Sequence, residues 1–437
     1  VADIESGAAV SADTAFYIAS ATKSFTALAM NVLHHRGEID LDATLAEYAP
    51  DAPFSAATRS GEVTLRDLLT HTSGLVNDAL VYRLAFSGEH EPATEWRLLA
   101  ATSLNESAPL ATFQYTNAGY NILTVLTDRH EGRRWQDILK SEVFDKAGMV
   151  HTSATMSEAE SWSLAKPHET VGPGAPRRMA LEKRDATMQS AGGIIMSSRD
   201  AMRWLELMVE DGRIGGKQVI PEGVVREVRA PIAEVGDTMG EYTRDHYGLG
   251  WYVGRYRDDV LVHHFGGFAG ARAHISFMPE RKIGVAVFVN DSQAGFNLVD
   301  AIANFVYDAH AGRADAESRY AAALERVVVE RDKASAAMAA DRQKRAQRSW
   351  RLALPRESYA GAYANELGGT LLITNDGDAL LVAAGVLHAT AEPFTESDSM
   401  RVELVPGQGE VLRFAVKGGE VRGMTYRNLV FGRQDRD

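Results

Sequence analysis

Between Arg313 and Trp350 the sequence consists largely of Ala, Arg, Glu and Lys with almost no turn-forming residues, and this run divides the chain. Such a run propagates as helix and carries charge around it, so it reads as a solvated connector. The segments on either side of it must then fold around separate cores. Past Pro355 short alternating segments run from Tyr359 to Gly432. They are broken at Gly368-Gly369, Asn375-Asp376-Gly377, Pro406-Gly407 and Gly418-Gly419. That pattern predicts an all-β barrel or sandwich. Before the connector, helical and extended patterns alternate. Phe25, Leu28, Ala29, Val32 and Leu33 recur at helical spacing and stop at Gly37, which places Ser20 at the leading edge of a buried helix. Thr64-Leu65-Arg66-Asp67 reads as a capping box. Asn117 to Met149 and 296–310 are helical in pattern, and Ser198 to Gly212 is amphipathic. Strands are expected at 247–254, 259–265, 271–278 and 283–289, the last two joined by Pro279-Glu280-Arg281-Lys282. The expected division is 1–312, 313–352 and 353–437, since 437 residues exceed one small core.

Composition removes several classes of function. A formal charge of −13 is the opposite of the basic footprint of a nucleic-acid binder. The longest apolar run, Ala379 to Leu387, falls far short of the roughly 20 residues a membrane helix needs. With no cysteine there are no disulfides, thiolate metal sites or thiol nucleophiles. The 13 histidines show no metal spacing such as HExxH, so no metal and no cofactor is expected. No basic stretch followed by an apolar one is visible at the start of the given chain, so no signal peptide is read in it.

Three short constellations carry chemistry. In Ser20-Ala21-Thr22-Lys23 a helical i,i+3 spacing brings the amine to the hydroxyl. Burial and the positive end of the helix dipole would keep that amine neutral, as a base must be. Chance occurrence, with Ser20 as a helix cap, is the alternative. In Tyr115-Thr116-Asn117 a phenol beside the amine can pass protons, and an amide can hydrogen-bond both the amine and a substrate carbonyl. Taken alone, Tyr115 is as readily a core residue. His263-His264-Phe265-Gly266-Gly267 ends a strand, where small residues allow close approach and an N–H can face an oxyanion. Taken alone it is a strand end with a glycine turn. His71, in His71-Thr72-Ser73-Gly74-Leu75, reads as a packing residue at a helix end.

The order of Ser-x-x-Lys, Tyr-x-Asn and His-x-Gly resembles the class C β-lactamase and penicillin-recognising serine hydrolase superfamily. Segments Phe16 to Ala29, Val63 to Leu75, Phe113 to Asn121, Ala191 to Leu205 and His264 to Asn290 are similar as well. The resemblance covers about residues 1–310 and implies an α+β fold: an antiparallel sheet flanked by helices, beside a helical subdomain. It implies Ser20 as nucleophile, with Lys23 and Tyr115 sharing acid and base work. Asn117, His264, Gly266 and Gly267 would bind substrate, with the N–H groups of Ser20 and Gly267 as the oxyanion hole. Residues 353–437 resemble the lipocalin-like barrel found behind some peptidases of this family.

Two departures shape the expectation. Where β-lactamases and transpeptidases carry Lys-Thr-Gly, this chain has His264-Phe265-Gly266, a form similar to the D-aminopeptidase, amidase and esterase branches. β-Lactamase activity is therefore expected to be minor at most. Family members also place a helix and two strands before the nucleophile, whereas nineteen residues precede Ser20 here. The reading is that those N-terminal strands are missing from the given chain or replaced by another segment. The expected function is a peptidase or amidase acting on a small molecule or short peptide, including D-residue peptides. A carboxylesterase and a catalytically silent binding protein are the alternatives. A periplasmic or secreted location is implied by the resemblance.

Overall fold

The computed structural model describes residues 1–434, except Ala108, Pro173, Gly174 and Ala294. Six antiparallel strands form the main sheet in sequence order: Ala233–Met239, Tyr242–Tyr247, Tyr252–Tyr256, Asp259–Phe268, Ala271–Met278 and Ile283–Val289. The first two are not among the strands expected from the sequence. Their exposed Glu234, Asp237 and Asp245 hide the alternation that marks a strand.

The strand Ala271–Met278 is buried on both faces, and its period of two sorts the side chains. Ala273, Ile275 and Phe277 enter the main core with Phe25, Trp204 and Trp251. On the other face His274, Ser276 and Met278 meet the helix Gly295–His310, where His274 bonds Asp300 and Ser276 bonds Tyr307. A smaller three-stranded sheet pairs Ala15–Tyr17 with Ile195–Ser197, which in turn pairs with Thr152–Ser153. Residues 1–8 lie across the end of Ile283–Val289, where the Asn290 amide donates to the Val1 and Ala2 carbonyls. On its far side Ile283–Val289 is the edge of the six-stranded sheet among the described residues.

Helix Thr22–His35 is buried on every side from Thr22 to Leu33, so it forms the centre of the α+β domain rather than a surface layer. The capping box is present: the Thr64 hydroxyl accepts from the Asp67 N–H, and Asp67 accepts from the Thr64 N–H. Helix Leu65–Thr70 then ends at His71, which caps it in the left-handed conformation at φ 61°.

The C-terminal domain is a nearly closed nine-strand antiparallel barrel. Alternate residues of Gly369–Asp376 and Ala379–Ala384 point inward, so Leu371, Ile373, Leu380 and Val382 pack with Tyr363, Met400, Leu412 and Phe431. The barrel does not hang free. Tyr82 of the α+β domain belongs to the barrel core. The Arg83 guanidinium, in the π-helical turn Arg83–Ser87, donates to the Glu366 and Leu367 carbonyls at 2.7 and 3.0 Å. The intervening helix runs over Ala316–Ala346. Most of it is exposed, but one face docks, with the Ser335 hydroxyl donating to the Thr170 and Gly172 carbonyls. Among the described residues no helix is long and apolar enough to cross a membrane.

Candidate active site

Ser20 sits in the tight turn Ala19–Ala21 that leads into helix Thr22–His35. Ala19, just before it, is held at φ 46°, a conformation unfavourable for a residue with a Cβ, which marks a turn fixed by its surroundings. Two neighbours impose it. The Ile18 N–H bonds the Ile194 carbonyl at 3.0 Å. Strand Asp259–Phe268 presses on the same turn at Gly266, where a Cβ would lie 1.8 Å from the Ile18 oxygen. Gly266→Ala is therefore expected to destabilise the fold by about 1–3 kcal/mol through overpacking. A lowered melting temperature beside the control Gly61→Ala, whose Cβ would meet nothing within 4 Å, checks it.

Lys23 lies one turn along the helix and is completely buried. Its Nζ donates to Asn117 Oδ1 at 2.7 Å and to the Ala191 carbonyl at 2.9 Å, and lies 3.3 Å from Ser20 Oγ. Burial holds this amine well below the ordinary lysine value. Among the described residues no carboxylate pairs with it. The Tyr115 ring lies under the amine, 4.7 Å to its centroid. Burial of its hydroxyl raises the phenol, and the bond with Ser20 partly counters this, so the group is protonated at neutral pH. Asn117 stands at the start of helix Ala118–Glu131.

The remaining predicted residues divide. Gly267 lines the groove beside Ser20, whereas Gly266 packs behind, against Ile18. His264 reaches the groove wall, but both ring nitrogens are occupied, Nε2 by the Tyr247 hydroxyl at 3.1 Å and Nδ1 by the Phe265 carbonyl at 2.8 Å. Burial, with the Lys23 charge second, pushes its pKa down to about 3, so the imidazole is neutral. Phe265 is packed with Tyr242, Tyr256 and Leu261 on the side away from the main core.

Several contributors were not legible. The Ala191 carbonyl is backbone, and any residue there could supply it. His71 packs against Tyr115 with ring centroids 4.5 Å apart and the planes tilted by 45°, and its Nδ1 accepts from the Thr116 N–H at 3.3 Å. Its role is to back the phenol, and its hint in the sequence was only the helix end. Lys183 lies buried behind Tyr17 and Phe268, donating to the Ala85 and Thr187 carbonyls, and burial brings its amine down to about 7. The groove over Ser20 has about 2080 Å³ of space including its open mouth. Its rim includes Met338 from the connecting helix and Val405 to Gln408 from a barrel hairpin.

A second Asp-His-Ser arrangement needs separating from this one. Asp300 Oδ1 lies 3.0 Å from His274 Nδ1, and His274 Nε2 lies 2.6 Å from Ser276 Oγ. Ser276 is completely buried and bonds the Tyr307 hydroxyl at 2.6 Å, so no substrate reaches it. It is a polar network holding helix to sheet.

A family model described as Beta-lactamase matches residues 1–309, and the chain belongs to the β-lactamase family of serine hydrolases. Penicillin-binding protein 4 of Amycolatopsis lactamdurans is 23% identical over 291 residues, covering 66% of this chain and 75% of that protein. The chain spans 55% of the length of other curated relatives it matches. The octameric penicillin-binding protein homologue from Pyrococcus abyssi has a TM-score of 0.57 at 21% identity, over 98% of this chain and 91% of that one. D-amino acid amidase from Ochrobactrum anthropi SV3, solved with L-phenylalanine amide, has a TM-score of 0.55 at 20% identity. That match covers 66% of this chain and 80% of the amidase. At such identities the structural likeness speaks to the fold alone.

Proposed function

We propose that this chain hydrolyses amide bonds in small peptides, D-residue peptides included, through an acyl-enzyme on Ser20. The observation that carries the reading is the convergence on one hydroxyl of a buried amine without a carboxylate partner and a protonated phenol. Neutral Lys23 has two donors and one lone pair. The two short contacts, to Asn117 and Ala191, use the donors, which leaves the lone pair for the Ser20 proton.

In acylation Ser20 Oγ bonds the substrate carbonyl carbon as Lys23 takes its proton. The N–H groups of Ser20 and Gly267 are assigned to the oxyanion. Tyr115 gives its proton to the leaving nitrogen, the C–N bond breaks, and the Lys23 proton restores the phenol. Water then attacks the ester along the reverse route. Asn117 holds Lys23 through Oδ1 and keeps its Nδ2 for the substrate. His264, with both nitrogens engaged, shapes the wall and donates nothing to the substrate.

Of the space over Ser20 about 940 Å³ is cavity proper, at the upper end of the roughly 300–1,000 Å³ of a small-ligand pocket, which suits a short peptide or a small amide. The barrel hairpin at the rim closes one side, as a surface that selects short substrates would. D- and L-aminoacyl anilides assayed beside p-nitrophenyl esters test the bond type. Anilide cleavage with a D over L preference is expected. Fast ester turnover with no anilide cleavage would establish the carboxylesterase instead. Absence of labelling by an active-site phosphonate would support a silent protein.

A further inference from the structure

A lysine is almost never buried unless an acid pairs with it. Lys183 breaks that rule as Lys23 does, and the mechanism on Ser20 makes no use of it. The residue is 8% exposed, and its Nζ donates to the Ala85 and Thr187 carbonyls at 2.7 and 3.2 Å. Three rings surround that nitrogen: Phe268 at 4.0 Å to its centroid, Tyr17 at 5.3 Å and Phe86 at 5.8 Å. Among the described residues no carboxylate lies within ion-pair distance of it. The two acids nearest in sequence are engaged elsewhere. Glu182 bonds Lys166 and Arg178, and Asp185 accepts from the N–H groups of Met156 and Ser157.

The side chain also borders open space. On one side a void of about 60 Å³ lies against Tyr17 and Phe268. On the other a cavity of about 770 Å³ runs between Leu181 and the barrel residues Leu387 and Leu404. Leu181 and Lys183 line both. An amine placed there is a nucleophile as well as a cation. Burial brings it down to about 7, and the rings, which favour the cation, draw it part of the way back. Both forms are then present at neutral pH, whereas an ordinary lysine is free base in fewer than about one molecule in a thousand. In the free base the two carbonyls hold both hydrogens, which leaves the lone pair for an incoming carbon. The surroundings choose the kind of carbon. Acylation would leave a neutral amide among rings and carbonyls placed for a cation. A protonated imine keeps the charge, and its one N–H retains the shorter bond, to Ala85.

We propose that Lys183 is a second covalent site of this chain, one that captures small aromatic aldehydes as protonated imines. The Nζ lone pair bonds the aldehyde carbon, and one N–H proton moves to the oxygen. That hydroxyl takes a proton from solvent and leaves as water while the nitrogen lone pair forms the C=N bond. The nitrogen ends with one hydrogen and the positive charge. Benzaldehyde with cyanoborohydride at pH 7 traps the imine as a secondary amine on the full chain, and peptide mass mapping locates it. Lys183 is expected to be alkylated at least about tenfold faster than the exposed Lys217 and Lys417. Lys23 is read separately, in its own peptide. Lys183→Arg keeps a cation among the rings but forms no imine, and its intact mass should lack the early adduct. Labelling of Lys183 no faster than that of Lys217 and Lys417, or an early adduct that survives Lys183→Arg, overturns the proposal. The mapping uses the wild-type chain, so it depends neither on the fold of the variant nor on turnover at Ser20.

Discussion

Ser20→Ala is expected to lower kcat/KM by at least about 10⁴-fold on every amide or ester the wild-type chain turns over, with little change in stability. The asymmetry comes from the contacts of the hydroxyl. Its near polar neighbours are the Lys23 amine at 3.3 Å and the Tyr115 phenol, and both keep other partners or solvent when it is gone. Lys23 keeps Asn117 and the Ala191 carbonyl, so no buried donor is orphaned. The turn itself is fixed by backbone, through Ile18 to Ile194 and through the close passage of Gly266, none of which uses the serine side chain. Removing one oxygen there should move the melting temperature by no more than a few degrees. The chemistry, in contrast, loses the atom that forms the covalent bond. Initial rates, thermal denaturation and intact mass after a phosphonate probe check the three parts together. One adduct on the wild type and none on the variant is expected. Retention of more than about a hundredth of the activity would remove Ser20 from the mechanism.

The legibility of each contribution depends on where it sits in the chain. Ser20 and Lys23 share one helical turn, so their meeting is local and the sequence spacing dictates it. Tyr115 and Asn117 are far from them in sequence, and only the order of the motifs and a family resemblance brought them to the same site. The two-part architecture showed in composition, because the connector lacks turn residues and the barrel strands are punctuated by Gly pairs. The strand Tyr242–Tyr247 did not show, because the consecutive polar residues Thr243, Arg244, Asp245 and His246 flatten its alternation. Neither did the rim. Met338 and the Val405 to Gln408 hairpin gain their place through long-range docking, to which Arg83, Tyr82 and Ser335 contribute. The sequence suggests a connector held apart by its own charge. The structure gives one face of that helix to the groove, seated by the Ser335 hydroxyl and carbonyl at Thr170 and Gly172 and by the ion pairs of Arg319 with Glu241 and Arg342 with Glu169.

His264 illustrates a different limit. Its position in the motif was readable, but its chemistry was set by Tyr247 and by burial, neither adjacent in sequence. A histidine in a hydrolase groove invites a general-base role. With one nitrogen bonded to a phenol, the other to its neighbour's carbonyl, and a pKa of about 3, this one stays neutral and fixed through the working range. His71 is likewise held far below its usual value by burial. Neither ring supplies a group that titrates near neutrality, and of the two lowered amines Lys183 lies behind Tyr17 and Phe268, so among the groups that meet Ser20 the pH dependence falls to Lys23.

Lys23→Met should therefore cost about 10²- to 10⁴-fold in kcat and abolish the acid limb of the pH–rate profile. The sign is set by the direction of the shift. Burial lowers the folded-state pKa of this amine, and the catalytic form is the neutral one. Wild-type kcat/KM must then rise as pH climbs through that folded value and level off above it. Tyr115 is shifted the other way and stays protonated across the same interval. Stability carries the same signature. Between the folded value and about 10.4, where the unfolded chain titrates, the unfolded state binds the extra proton, so wild-type stability rises with pH across that window. Methionine has no proton to exchange, and the increment should vanish from the variant while every other group contributes equally to both proteins. Denaturant unfolding of the pair from about pH 6 to 9 reads the difference directly. Curves that diverge with rising pH report a neutral amine in the folded state. Parallel curves would mean the lysine enters the fold fully charged, and a charged Lys23 cannot take the Ser20 proton.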